Sequence, residues 1–298
     1  MPDWIISISY EGILQRKEKE IFIMKKWILS SLFILLIAAL AACGGSKKES
    51  DDKAEGLLSD GKLIVGVTAG EHEEIMEQVK ELAAKQDLEI DIKTFSDYPI
   101  VNEALSQGDL DLNVFQHEPY LNEQKEDRNY DIVKVGNTIT TPMGVYSNKV
   151  KDFSELKKGA KLGLPNDPTN GGRALLLFEK AGLIKLKEGV GETPSVKDIE
   201  ENKNDYEFVE LEAAQIPRQL DELGAAAINS NYAIESGLVP TEDSIFIEDK
   251  DSPWVNIVAA RAENKDDEAI KKFLDVYQSD EIKQFIEDTY KGSVIPGW

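Results

Sequence analysis

The sequence predicts an α/β protein of two lobes with a cleft between them. Three observations carry that expectation. Predicted strands alternate with predicted helices in two successive series, no repeat of fixed short period points to a solenoid, and the lone cysteine ends an apolar run too short to span a membrane. Strands separated by helices further imply largely parallel sheets.

The N-terminal elements concern export. Lys25 and Lys26 precede the apolar run Trp27 to Ala42, which is shorter than the roughly 20 residues of a spanning helix, and Leu40-Ala41-Ala42-Cys43 closes it. This reads as a lipoprotein signal over 24–42, with Cys43 as the acylated first residue of the mature chain. A signal anchor with a cysteine nearby is the alternative. Residues 1–23 read as an upstream extension outside the signal, and Lys17-Glu18-Lys19-Glu20 is what a purine-rich ribosome-binding site spells when translated, so Met24 stands beside Met1 as an alternative start. The stretch 43–60, rich in Gly, Ser, Lys, Glu and Asp, reads as a solvated tether.

Processing at Cys43 leaves about 256 residues with a net charge of about −23, enough for two small lobes and too acidic for a nucleic-acid partner. With one cysteine there is no intramolecular disulfide, and acylation removes it as a nucleophile. His72 and His117 are the only histidines, too few for a multi-histidine zinc site, and His117-Glu118 lacks the second histidine of a metalloprotease motif. No nucleophile and base pair stands out, so an enzyme is the weakest reading and no cofactor or metal is expected.

The first series starts with Lys62 to Thr68 as a strand, followed by a helix with Ile75, Met76, Val79, Leu82 and Ala83 on one face. Leu88 to Thr94 reads as strand, Ile100 to Gln107 as helix, Leu112 to Phe115 as strand and Glu118 to Glu126 as helix. The second series runs through strand Met143 to Ser147, a short helix at Ser154 to Lys157, strand Lys161 to Leu164, and a helix from Gly172 to Ala181. Strand Tyr206 to Leu211, helix Ile216 to Leu223 and strand Ala225 to Ile228 complete it. Asn256 to Ala260 reads as a strand, and Ile270, Phe273, Leu274 and Tyr277 share a helical face. Crossings near Thr140 to Met143 and near Asn231 to Gly237 would put 61–141 and 236–298 in the first lobe and 142–235 in the second.

Candidate ligand-holding residues cluster at the carboxyl ends of predicted strands, the edge where open α/β sheets bind ligands. Phe95-Ser96-Asp97-Tyr98 and Phe115-Gln116-His117-Glu118-Pro119-Tyr120 offer aromatic walls with polar tips, although any single ring is as compatible with ordinary core. Pro165 to Arg173 packs turn and cap formers ahead of an apolar helix, so its first-turn N–H groups and Arg173 suit an anion; a capped helix with a solvated arginine is the plainer alternative. Its Gly171-Gly172 is neither a dinucleotide fingerprint nor a phosphate loop. Asn229-Ser230-Asn231-Tyr232 offers amides that can both donate and accept, or simply a turn.

Taken together, the Leu-Ala-Ala-Cys lipobox, Ser96-Asp97-Tyr98, Gly108-Asp109-Leu110-Asp111, Phe115-Gln116-His117 with Pro119-Tyr120-Leu121, Gly172-Arg173-Ala174-Leu175, Ala181-Gly182-Leu183-Ile184 and Asn229 with Asn231-Tyr232-Ala233 resemble the NlpA (MetQ) family, methionine-binding lipoproteins of ATP-driven importers. The resemblance runs from the lipobox to Pro296-Gly297-Trp298, with Pro99-Ile100-Val101 as a departure. It implies a bilobed periplasmic-binding-protein fold, type 2-like, with methionine enclosed between the lobes. Tyr98, Phe115, His117 and Tyr120 would surround the thioether, Arg173 would bind the carboxylate, and Asn170, Asn229 and Asn231 would hold polar groups. The implied partners are an importer permease with its ATPase, and the membrane through a lipid on Cys43, for a monomeric protein. L-methionine, D-methionine and a methionine dipeptide remain open as ligands; another small anion or amino acid, or a surface adhesin, are the rival readings.

Overall fold

The computed structural model describes Leu57, residues 61–249 and residues 252–298. The expectations for the extension, the signal, Cys43 and nearly all of the tether therefore lie outside the described residues. Among the described residues no helix is long and apolar enough to cross a membrane.

Two mixed sheets form the frame. The first contains β1 (Leu63–Thr68), β2 (Ile90–Phe95), β3 (Leu112–His117), β4 (Ile132–Thr140), β12 (Val255–Arg261) and β13 (Ile295–Pro296), in the order β13-β4-β12-β3-β1-β2. The second contains β5 (Gly144–Tyr146), β6 (Lys161–Pro165), β9 (Glu207–Leu211), β10 (Ala225–Ile228) and β11 (Phe246–Ile247), in the order β11-β5-β10-β6-β9. Strands β7 (Lys185–Leu186) and β8 (Ile199–Glu201) make a small separate ribbon.

Only part of each sheet is parallel. β1 pairs in parallel with β2 and β3, and β6 does so with β9 and β10, whereas β12 lies antiparallel between β3 and β4 and β5 lies antiparallel to β10. The reason is where the chain enters. Thr140, at the end of β4, pairs with Val255, at the start of β12, and Gly144, at the start of β5, pairs with Ile228, at the end of β10. A strand that begins at the edge where its neighbours end must run against them. Because β11 still pairs with β5, the last passage from second sheet to first falls between Ile247 and Val255, after Ile234 has already packed against the core of the first sheet.

Helices follow the parallel strands: α1 (Glu71–Ala84), α2 (Tyr98–Gln107), α3 (Glu118–Arg128), α4 (Pro168–Lys180), α5 (Ile216–Gln219), α6 (Ser230–Glu235) and α7 (Pro240–Asp243), then α8 (Glu268–Tyr277) and α9 (Asp280–Tyr290). In α1 the buried Ile75, Met76, Val79 and Ala83 recur at helical spacing and pack with β1, α8 and α9 in one core. A second core lies under α4, and a third joins Phe115 and Ile257 of the first sheet and Tyr120 of α3 to Ala226 and Ile228 of the second sheet and Ile216 of α5.

Three local differences from the sequence reading have clear causes. Helix α4 starts at Pro168 rather than Gly172, because Asp167 caps it by accepting from the Asn170 N–H at 2.8 Å and Pro168 suits the first helical position. Helix α5 ends at Gln219, short of the expected Leu223, with turns carrying the chain into β10. Strand β4 is not among the expected elements, since Lys134, Gly136 and Asn137 interrupt its apolar alternation; pairing with β12 and β13 makes it a strand.

Candidate functional site

The carboxyl edges of the two sheets meet around one small cavity. Tyr98, Phe115, His117, Tyr120, Asn170, Arg173, Asn229 and Asn231 all line it, together with His72, Gln116, Thr141 and Asn256. Local structure explains the convergence. Tyr98 opens α2 behind its Asp97 cap, His117 ends β3 and caps α3, and Asn229 holds the position before α6 directly after β10 without a capping hydrogen bond, which frees its amide for the cavity. Asn170 and Arg173 are three residues apart on α4 and so share a face.

One wall is aromatic. Ring centroids lie 5.6 Å apart for Tyr98 and Phe115, 5.7 Å for Tyr98 and Tyr120, and 6.2 Å for Phe115 and Tyr120. The last two pairs are edge-to-face, a favourable quadrupole arrangement. Behind this wall Asn102, Asn113 and Gln116 bond one another at 2.7–3.0 Å, so their polar atoms are satisfied among themselves.

Hydrogen bonds cross between the lobes here. His117 Nδ1 accepts from the Tyr120 N–H at 3.1 Å, which leaves Nε2–H to donate to Asn170 Oδ1 at 3.1 Å. Asn229 Nδ2 donates to the same Asn170 oxygen at 2.8 Å, and the Tyr98 hydroxyl donates to Asn231 Oδ1 at 2.6 Å. Gly70, at φ 93°, brings the chain so near Asn231 that a Cβ there would lie 2.7 Å from its carbonyl oxygen.

Arg173 is buried, and its neighbours differ from the sequence expectation of a guanidinium open to a bidentate ligand. Nε donates to Glu248 Oε1 at 2.8 Å, and Nη2 donates to Glu248 Oε2 at 2.5 Å and to the Thr141 carbonyl at 2.8 Å. The two-pronged edge is thus taken by the protein's own carboxylate, and Nη1 is the part of the fork left over. A lone guanidinium at this depth carries a large desolvation cost, which Glu248 offsets. Trp254 covers the pair, with its ring centroid 5.4 Å from the guanidinium carbon and 5.0 Å from that of His117.

The sequence reading passes over His72, Gln116, Thr141, Glu248, Trp254 and Asn256. His72 was reachable by the rule that found the others, since it lies just beyond the carboxyl end of β1. Glu248 carries no local signal, because its role depends on a helix 75 residues away.

Burial sets the ionisation of the titratable groups. It pushes the Glu71 carboxyl up to about 8 and the His72 imidazole down to about 3; His117 falls to about 3 through burial first and then the Arg173 charge. The Glu71 value lies above its ordinary 4.5, so its contribution to stability is full below about pH 4.5 and is lost as pH rises through about 8. The histidine values lie below 6.5, so their contribution is full above that pH and is lost as pH falls toward 3. From these groups, stability is greatest near pH 6.5. Thermal unfolding of the wild type should therefore drop by on the order of 5 °C between pH 6.5 and 8, and Glu71→Gln should remove the drop. Equal declines in both proteins would clear Glu71 of the effect.

Two α/β lobes closing over a small cavity of aromatic walls and amide groups define a substrate-binding protein of the periplasmic type. Residues 63–298 match the NlpA lipoprotein family, and the chain belongs to that family. It is 46% identical over 266 residues to the D-methionine-binding lipoprotein MetQ of Escherichia coli K12, covering 88% of this chain and 95% of that one. A nutrient-binding protein from Burkholderia cenocepacia, solved bound to methionine, is 44% identical with a TM-score of 0.77, covering 79% of this chain and all of that one (100%). A periplasmic substrate-binding protein of an ABC transporter from Coxiella burnetii is 42% identical with a TM-score of 0.76, over 79% and 100% of the two chains. The protein is a binding protein and not an enzyme.

Proposed function

We propose that this protein captures methionine outside the cytoplasm and delivers it to an ATP-driven importer. The observation that carries the reading is a mismatch within one cavity. Asn229 Oδ1, Asn231 Nδ2 and His72 Nδ1 are buried without a hydrogen-bond partner, beside a wall of three mutually packed rings. Buried polar groups are rarely left unmatched, so the cavity is completed by a ligand with donors and acceptors at one end and an apolar, polarisable chain at the other. Methionine has that composition, and the MetQ and Burkholderia relatives are named for it.

In this reading Tyr98, Phe115 and Tyr120 hold the thioether, with sulfur against aromatic rings worth up to roughly 1.5 kcal/mol. Arg173 binds the carboxylate through Nη1, while His117, Asn170, Asn229 and Asn231 arrange the polar end. The Arg173–Glu248 pair is neutral overall, so the site selects a zwitterion by hydrogen bonding more than by net charge. Capture involves no covalent chemistry. An open form binds, the bonds between lobes draw the sheets together, and the ligand shifts that equilibrium toward the form a permease recognises.

The finer assignments follow from the same reading. The protein is a monomer held at the membrane by a lipid on Cys43, with the first lobe formed by 61–141 and the chain from Val255 onward. Isothermal titration with L-methionine, D-methionine and methionine dipeptides should give saturable one-site binding for at least one of them. Absence of heat with all three would end the proposal.

A further inference from the structure

One buried pair at the cavity edge is assigned no ligand group by the function above, although its His72 Nδ1 is among the unpartnered atoms that carry it. His72 lines the cavity, is 2% exposed, and its Nδ1 has no hydrogen-bond partner; the contact of its Nε2 is to Glu71 Oε1 at 3.8 Å, beyond hydrogen-bond range. Glu71 is fully buried next to it, and its carboxyl group meets only its own backbone N–H. Two adjacent polar side chains so poorly matched at the first turn of a helix are expensive unless something answers them.

Charge matching says what would answer. The cavity lining contains no aspartate or glutamate, so a bound ammonium group, with three N–H donors, must find neutral acceptors. Asn229 Oδ1 supplies one. Arg173 draws the ligand carboxylate toward the opposite charge, and the rings take the apolar chain, which leaves the His72 corner for the amine. The His72 imidazole is held neutral by burial, so one ring nitrogen is an acceptor. Around Glu71 stand Glu74 of its own helix, Tyr98 of α2, Tyr146 of β5, Tyr277 of α8 and Tyr290 of α9, with no cation among these groups. Burial keeps Glu71 largely protonated near neutral pH, so the corner offers the amine a neutral acceptor and gives a carboxylate no cation to meet.

We propose that His72 is a further specificity-determining residue of this site, accepting a hydrogen bond from the amine of the ligand. This rests on the reading of the cavity as an amino-acid site and names the group that distinguishes an amino acid from a plain carboxylic acid. The probe is a matched pair, methionine and 4-(methylsulfanyl)butanoic acid, which is the same molecule without the amine. Wild type should prefer methionine by roughly tenfold to a hundredfold, the value of a hydrogen bond to a charged group. His72→Ala should cut that ratio several-fold, with Asn229 Oδ1 keeping part of it, and His72→Gln, which retains an acceptor, should recover much of the loss.

A measurement on the unaltered protein guards against variants that fail to fold. The chain has two histidines, so ¹⁵N labelling of the imidazoles gives two sets of ring resonances. Methionine should shift both His72 and His117, and the amine-free acid should shift His117 alone. A His72 signal that ignores methionine, or a methionine preference unchanged in His72→Ala, would overturn the assignment while leaving methionine capture intact. A wild type that binds neither compound would instead remove the underlying reading, and this one with it.

Discussion

Arg173→Ala should abolish measurable methionine binding and destabilise the protein by about 3–5 kcal/mol. Both effects have one origin. The guanidinium is matched by Glu248 on its Nε and Nη2 side and, in the proposed complex, by the ligand on the other, so its removal strands a protein carboxylate and a ligand carboxylate together. Glu248 also accepts from the Met143 N–H at 2.9 Å, so the stranded charge lies against the first passage between the sheets. The double variant Arg173→Ala/Glu248→Ala separates the two losses. It should recover part of the stability in chemical denaturation, because no buried charge is left unpaired, yet recover no binding in titration calorimetry. Normal methionine affinity in Arg173→Ala would contradict the proposed role of the arginine.

Gly70→Ala is the second large expected effect, and it acts through backbone. Gly70 occupies φ 93°, a region that costs an L-residue on the order of 1–3 kcal/mol, and its added carbon would meet the Asn231 carbonyl oxygen at 2.7 Å. The obstacle is main chain, which cannot swing aside as a side chain would. The β1–α1 turn and α6 must therefore separate, which pulls Asn231 from the Tyr98 hydroxyl. Methionine affinity should fall at least about tenfold, the equivalent of 1.4 kcal/mol. Small-angle scattering should also show less compaction on adding methionine than in the wild type. Wild-type affinity with full compaction would mean that this close approach is not needed for closure.

Much of the architecture was legible from pattern alone, for reasons that stay within a few residues. Apolar runs such as Leu63–Thr68 and Ala225–Ile228 form strands whose burial is nearly complete, and the face of Ile75, Met76 and Val79 packs as its spacing implies. The eight residues that the family resemblance named all line one cavity, and they stand in segments beyond strand carboxyl ends, where chain direction in an α/β unit gathers them. What escaped is non-local. Strand β4 depends on β12 for its pairing, and α4 began early because Asp167 turned a run of turn formers into a capped first turn.

The residues themselves told that this chain is an α/β protein with a ligand edge where aromatic rings, amides and an arginine gather, since propensity, periodicity and side-chain chemistry are properties of short segments. Folding alone decided that Glu248 takes the outer edge of that arginine, that Trp254 roofs it, and that Glu71 and His72 are left buried and unmatched beside the cavity. Those facts depend on which distant surfaces exclude water together, and desolvation is a property of the assembled interior that no short stretch of sequence contains.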